Sequence, residues 1–293
     1  MTIKPEHLAK HLVRHLVNGH PTDQLPVLDR GLRYGDGCFE TMAVRGGQIP
    51  LWHRHYARLV KGCAKLNIRP DFDRETLERE LATLIGETSR AVLRLTVTRG
   101  SSGKGYAYPV EQQTTRILSL LPAHNHPAEY REEGVAIRLC TTRLGRNRAL
   151  AGIKHLNRLE QVMARAEWHD EFVEGLMFDH HDHVIEGTIS NVFIVEGERV
   201  CTPILSECGV EGVMRAELLD RMKSLGIVAS QEVIDRNRLM AANECFLTNA
   251  IIGIWPVKAI DSKPLSVGSI TRRLMAELDA SEKEIDEPAG LKE

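Results

Sequence analysis

The chain has 293 residues, 42% of them hydrophobic, and a formal net charge of −2. That length and apolar content can bury a sizeable core in two domains or one large one. The charge balance leaves no basic footprint for nucleic acid or an anionic membrane surface, and no apolar run approaches the about 20 residues of a membrane span.

Residues 1–14 mix Lys, Glu, His and Arg and lack the apolar stretch of a signal peptide. Cys38, Cys63, Cys140, Cys201, Cys208 and Cys245 lie far apart, without CxxC spacing, which favours reduced thiols and a cytoplasmic enzyme. Residues 25–44 read as a strand, a turn at Gly35 and Gly37, and a second strand. Residues 51–66 carry Leu59, Val60, Cys63 and Leu66 at helical spacing. Asp73 is placed to cap a second helix bearing Leu77, Leu81, Leu84 and Ile85. Leu93, Leu95 and Val97 alternate with Arg94, Thr96 and Thr98, the period of a strand, and residues 116–121 form another.

Residues 122–130 read as a linker between a small N-terminal α/β domain (1–121) and a larger C-terminal domain (131–293). In the latter, residues 135–142 are a strand, and 175–178 with 183–186, then 191–196 with 200–203, are hairpins. A helix follows Gly212, with Val213, Met214, Leu218, Leu219, Met222 and Leu225 on it, and residues 244–249 form a strand. The layout is α+β, and a polar tail at 281–293 is expected to fray.

Chemistry centres on Lys154. It follows the apolar stretch Leu150, Ala151, Gly152, Ile153 and precedes Leu156, Leu159, Val162, Met163 and Ala166, which repeat at helical spacing. Asn157 with Glu160 resembles a capping box, so a long helix is expected to begin just after the lysine. An apolar setting desolvates an ammonium, lowers its pKa and frees the amine for Schiff-base chemistry. On position alone a solvated lysine is the commoner case.

Three other features suit an anionic, nitrogen-containing cofactor. Glu186 closes one strand just before Asn191 opens the next, and a carboxylate facing a pyridine nitrogen keeps that nitrogen protonated. The turn Gly209-Val210-Glu211-Gly212 leads into a helix whose free N–H groups can receive a phosphate. Arg58 lies on a helix with an apolar opposite face and can pair with phosphate or lie in water. Asp179-His180-His181-Asp182-His183 has metal-ligating residue types but reads as a polar hairpin tip, and no metal is assigned.

Together these residues resemble the fold-type IV pyridoxal-phosphate enzymes, which include branched-chain and D-amino-acid aminotransferases. The landmarks run in order: Asp29-Arg-Gly-Leu-Arg-Tyr-Gly-Asp-Gly-Cys-Phe-Glu40, His55-Tyr-Ala-Arg58, Lys154, Glu186-Gly-Thr-Ile-Ser-Asn191, Gly212-Val-Met-Arg215 and Thr248-Asn-Ala250. Arg99-Gly-Ser-Ser-Gly-Lys-Gly-Tyr106, Arg143-Leu-Gly-Arg-Asn147 and the segment 150–160 are most similar to the branch that eliminates pyruvate from 4-amino-4-deoxychorismate.

The resemblance implies a two-domain fold with pyridoxal 5'-phosphate bound by Lys154 as Schiff base and proton-transfer base. It implies Glu186 at the pyridine nitrogen, with Arg58, the N–H groups of Val213 and Met214, and Asn249 at the phosphate. It also implies Lys104 and Tyr106 at a substrate carboxylate, where arginine is expected in place of Lys104. Thr41 is a candidate acid for the departing group, and a homodimer is expected. Arg99, Arg143, Arg146 and Arg148 join Lys104 as an expected cationic mouth for a doubly anionic substrate. An aminotransferase using the same cofactor site is the alternative.

Overall fold

The computed structural model describes residues 14–286 apart from 102 and 109, so the leader reading of residues 1–13 and the last part of the tail, 287–293, lie outside the described residues. The chain divides into two compact units. One runs to Asn125 and takes in Lys154–Asn157; the other comprises His126–Ile153 and the chain from Arg158 onward.

The first unit contains β1 (Arg14–Val17), β2 (His20–Pro21), α1 (Arg30–Tyr34), β3 (Gly37–Arg45), α2 (Trp52–Lys65), α3 (Arg74–Ile85), β4 (Arg90–Thr98) and β5 (Thr115–Leu121). Its sheet has the order β2-β1-β5-β4-β3 and is antiparallel throughout. The β3–β4 register pairs Thr41 with Arg94 and Phe39 with Thr96. The expected α3 is found: Asp73 accepts from the Thr76 N–H at 2.8 Å, and Leu77, Leu81, Leu84 and Ile85 are all buried.

The first expected strand is absent. Residues 25–28 make no ladder, Val27 and Leu28 are exposed, and Asp29 instead accepts from the Gly31 N–H to start α1. Gly35 ends that helix at φ +65°, a left-handed cap. A helix of five residues is too short to leave a 3.6-residue pattern, so only its caps marked it. On α2, Val60 is exposed and His55, Leu59, Gly62 and Cys63 form the buried face.

The second unit contains α4 (Glu129–Glu132), β6 (Val135–Leu144), α5 (Leu159–Arg165), β7 (Glu174–Asp179), β8 (Val184–Gly187), β9 (Asn191–Glu196), β10 (Arg199–Pro203), α6 (Val213–Ser224), β11 (Ala229–Glu232), α7 (Arg236–Ala241), β12 (Glu244–Asn249), β13 (Gly253–Ile260), β14 (Lys263–Pro264) and α8 (Ser269–Asp286). The sheet runs β11-β10-β9-β12-β13-β6-β7-β8, with β14 beside β13. Both faces are covered. Leu176 and Phe178 of β7 enter one core with Ile137, Val192, Leu247 and Trp255, while Met177 enters another with Leu144, Ala164, Trp168 and Ile185. Period-2 alternation therefore feeds two cores from one strand.

Three expectations change here. The helix after the lysine is short, and its apolar positions Leu159, Val162 and Met163 are exposed while Ala164 is buried. Asn157 and Glu160 do not cap it: Asn157 donates to Gly35 O at 3.1 Å, and Glu160 accepts from the Gly145 N–H at 2.8 Å. α8 extends past Ser281 to Asp286, so the first residues of the expected tail are helical.

Glu174 fixes the turn between β8 and β9. Its buried carboxylate accepts from the N–H groups of Gly175, Thr188 and Ile189 and from the hydroxyls of Thr188 and Ser190. Removing it strands several buried donors. Glu174→Ala should lower unfolding stability by about 3 kcal/mol in urea titrations, without changing the secondary structure seen by circular dichroism.

Candidate active site

Lys154 is half-buried and stitched to the start of β3. Phe39 donates its N–H to Lys154 O at 2.9 Å, Leu156 donates to Gly37 O at 3.0 Å, and His155 bridges Cys38. The Lys154 ammonium stands 4.4 Å from the Phe39 ring centroid, and the Arg94 guanidinium lies 4.2 Å from the same centroid. Two cations thus share one aromatic ring. Thr41, two residues along β3 from Phe39 and paired with Arg94, belongs to the same strand face.

The neighbouring residue of β3, Glu40, points to α2 and is almost wholly buried. Arg58 grips both its oxygens, Nε to Oε1 at 2.8 Å and a terminal nitrogen to Oε2 at 2.5 Å, and His55 Nδ1 lies 2.7 Å from Oε2. Burial alone would raise the Glu40 carboxyl, but the charge and hydrogen bonds of Arg58, helped by His55, hold it below the ordinary carboxylate range. Burial pushes His55 below the ordinary histidine value. Glu40 opposes that, and the charges of Arg58 and Lys154 add to it. The i, i+3 spacing of His55 and Arg58 on α2 is what lets both reach one carboxylate.

Lys104 and Tyr106 sit in an exposed segment. Arg30 anchors its backbone through the carbonyls of Gly105, Tyr106 and Ala107, and the Tyr106 ring lies 5.5 Å from that of Tyr34. Arg99 does not belong to a cationic mouth. It is buried, bound to Asp36 and to the carbonyls of Leu66 and Asn67, with its plane over Tyr108.

In the second unit, Glu186 is buried on β8, and its Oε2 accepts from the Val210 N–H at 2.8 Å. Glu186 is therefore not a turn glutamate lying in water. Val210 also bridges Gly152: Gly152 donates to Gly209 O at 2.8 Å and accepts from Glu211 at 3.0 Å. Glu186, the turn 209–212 and the residue two before Lys154 are therefore one hydrogen-bonded set. Asn191 donates to Val210 O, and a Cβ on Gly212 would fall 1.9 Å from Asn191 Oδ1, so a side chain there would displace the Asn191 amide.

That glycine leads α6, whose N-terminus has no side-chain cap, so the first-turn N–H groups of Val213 and Met214 are oriented to receive an anion. Arg215 in the same turn is buried and bonds Thr202 Oγ1, Pro203 O and Gln231 Oε1. Burial lowers its pKa, while Glu211 and Glu186 raise it. Asn249 accepts from Ile251 and Ile252 and donates to Ile189 O, so one amide N–H remains to serve a ligand. Arg143 pairs with Asp182, and Arg146 and Arg148 share Glu207, with Arg148 largely exposed. Asp179 spends Oδ1 on the N–H groups of His181 and His183 at the hairpin tip.

The sequence reading missed His55 and Arg94 as site residues and gave Glu40 and Arg215 no role. The signal for His55 was its i, i+3 spacing from Arg58 on one helix, whereas Arg94 reads only as a polar position of an alternating strand. Each unit supplies groups whose chemistry suits a phosphorylated pyridine aldehyde: an amine in the first, and in the second a buried carboxylate fixed by a main-chain N–H and an uncapped helix start.

The amino-transferase class IV family model matches residues 37–260, and the chain belongs to that family. An aminodeoxychorismate lyase of Vibrio harveyi is 35% identical over 90% of this chain and 98% of its own length. A putative branched-chain-amino-acid aminotransferase of Methanocaldococcus jannaschii is 30% identical over 88% and 92% of the two chains. Among solved structures, the 4-amino-4-deoxychorismate lyase of Pseudomonas aeruginosa superposes with a TM-score of 0.88 at 44% identity, covering 93% of this chain and all of that one.

Because Glu40 is held ionised, its contribution to stability is present above the ordinary carboxylate pKa and lost as pH falls through its lowered value. Glu40→Gln should therefore be clearly less stable than wild type at neutral pH, and the gap should shrink below pH about 4.5. Urea unfolding along a pH series checks this; a constant gap would mean that the carboxylate charge does not stabilise the first unit.

Proposed function

We propose that the protein is a pyridoxal-phosphate-dependent lyase that converts 4-amino-4-deoxychorismate into 4-aminobenzoate and pyruvate. The observation that carries the cofactor assignment is the Glu186–Val210–Gly152 hydrogen-bonded set, two residues from Lys154. The lyase assignment is supported by identities of 35% and 44% to two lyases, against 30% to the aminotransferase relative.

When bound, pyridoxal phosphate supplies a sink for the electrons left when a proton departs from the amine-bearing ring carbon. Lys154 provides the amine that carries the cofactor and then takes that proton. Glu186, an acceptor held at a fixed angle by Val210, keeps a proton on the pyridine nitrogen. Arg58, the N–H groups of Val213 and Met214, and the remaining N–H of Asn249 hold the phosphate.

Lys104, Tyr106 and Arg94 bind the substrate's carboxylates, and Thr41 passes a proton to the methylene of the departing enolpyruvyl group. The proton lost from the ring and the one gained by the leaving group balance, so the products are an aromatic amine and pyruvate with no amino acceptor. Aromatisation drives the step, and the protein's task is placement and proton timing.

A homodimer in the cytoplasm belongs to the same proposal. All six cysteines are buried and outside disulfides, which suits a reducing compartment. No helix among the described residues is long and apolar enough to cross a membrane. Leu159, Val162 and Met163 present an exposed apolar stripe on α5, and Val27, Leu28 and Leu32 are exposed in the first unit. Val162→Asp should convert the dimer to monomer in sedimentation velocity; an unchanged dimer would assign that stripe elsewhere.

The direct test supplies 4-amino-4-deoxychorismate to the cofactor-loaded protein and follows 4-aminobenzoate by fluorescence and pyruvate by a coupled assay. Equal yields, abolished in Lys154→Ala, are expected. A cofactor-bearing protein that forms neither product, yet moves amino groups from D- or branched-chain amino acids to keto acids, would establish the aminotransferase alternative instead.

A further inference from the structure

His55 is 0% exposed, its Nδ1 bonds Glu40, and its Nε2 is buried with no hydrogen-bond partner. A carboxylate can only accept, so Nδ1 carries the hydrogen and Nε2 presents a bare lone pair. Leaving a polar nitrogen buried and unsatisfied costs stability, and such groups recur where a ligand completes the bonding. The charged groups around His55 are Glu40 on β3, Arg58 on α2 and Lys154 on the lysine segment. The charges of Arg58 and Lys154 both disfavour a protonated imidazole here, and Glu40 opposes them.

We propose that His55 is a switchable arm of the phosphate clamp: when a phosphate dianion settles against Arg58, His55 takes one proton from solvent and donates Nε2–H to a phosphate oxygen. This rests on the reading that Arg58 holds the cofactor phosphate. The dianion reverses the local field, so the charged imidazole, penalised in the free protein, becomes the favoured form. Glu40 remains ionised and now faces two cations, steadying both. Cofactor retention thereby becomes coupled to pH: affinity is greatest where His55 is protonated in the complex, and it weakens as pH rises through the His55 pKa of that complex.

The test titrates 4'-deoxypyridoxine 5'-phosphate, which lacks the aldehyde and cannot engage Lys154 covalently, into the cofactor-free full chain. Calorimetry in buffers of different ionisation enthalpy counts the protons taken up above neutral pH, where the free ligand's phosphate is already dianionic. Three chains are compared. Wild type should take up nearly one proton more than either variant. His55→Asn retains a donor to Glu40 but none at the Nε2 position, and should bind about tenfold more weakly. His55→Gln places an amide near the Nε2 position and should recover much of that affinity with no extra proton uptake.

Equal uptake in all three chains would overturn the proposal, even if His55→Asn weakened binding, because His55 would then only position Arg58. Failure of wild type to bind either this ligand or pyridoxal phosphate would instead overturn the cofactor reading, and this inference with it. Circular dichroism melts establish that each variant is folded before titration.

Discussion

The placement of one amine depends on backbone hydrogen bonds that flank it on both sides. Before Lys154, Gly152 exchanges two of them with Gly209 and Glu211; at and after it, Lys154 and Leu156 exchange two with Phe39 and Gly37. Ile153 between them is fully buried. A lysine side chain has about 2 kcal/mol of rotamer entropy to lose, so a nucleophile on it is precise only if its own backbone cannot drift. Lys154 and Leu156 are held in extended pairing with β3, and α5 begins only at Leu159.

Buried charge is handled differently in the two units. In the first, carboxylates Glu40 and Asp36 are each clasped by arginine, and the ion pairs offset the desolvation that burial imposes. In the second, Glu174 is met by main-chain N–H groups and hydroxyls, and Glu186 accepts from the Val210 N–H. Arg215 in the first turn of α6 adds a favourable charge to Glu186 at longer range. Glu40, by contrast, is already occupied, and its partners Arg58 and His55 present the outward-acting chemistry.

What was legible in the sequence follows from range. Asp73 and the α3 stripe, the β4 alternation and the paired strands β7–β8 and β9–β10 are local patterns, and each is found where the spacing placed it. The capping-box reading of Asn157 and Glu160 failed because both side chains bond residues remote in the chain, Gly35 and Gly145, and spacing is blind to such partners. The stripe Leu159, Val162, Met163 was correctly periodic, but periodicity cannot say whether an apolar face meets its own core or another surface. Fold-family landmarks named the chemistry; burial and hydrogen bonds then distinguished Glu186 and His55 from ordinary polar residues.

The arginine census shows how far charge alone misleads. Five basic residues were grouped as a mouth for an anionic substrate, yet Arg143, Arg146 and Arg148 are paired with carboxylates and Arg99 is buried in the Asp36 cluster. Arg94 fell outside that grouping because it lies within a strand. It is the cation whose bonding capacity is left over: it makes no ion pair among the described residues, and its guanidinium plane rests on the ring that also carries the Lys154 ammonium. A guanidinium stacked on an aromatic face keeps its edge N–H groups for a planar anion, and a carboxylate on the substrate ring is such an anion. On the proposed reading, a bidentate contact to a substrate carboxylate would fall to Arg94, and Lys104, which lacks that fork, would add attraction from a more mobile stem. A lysine where the family pattern leads one to expect arginine would then still suit the proposed substrate, with the directional contact made from β4.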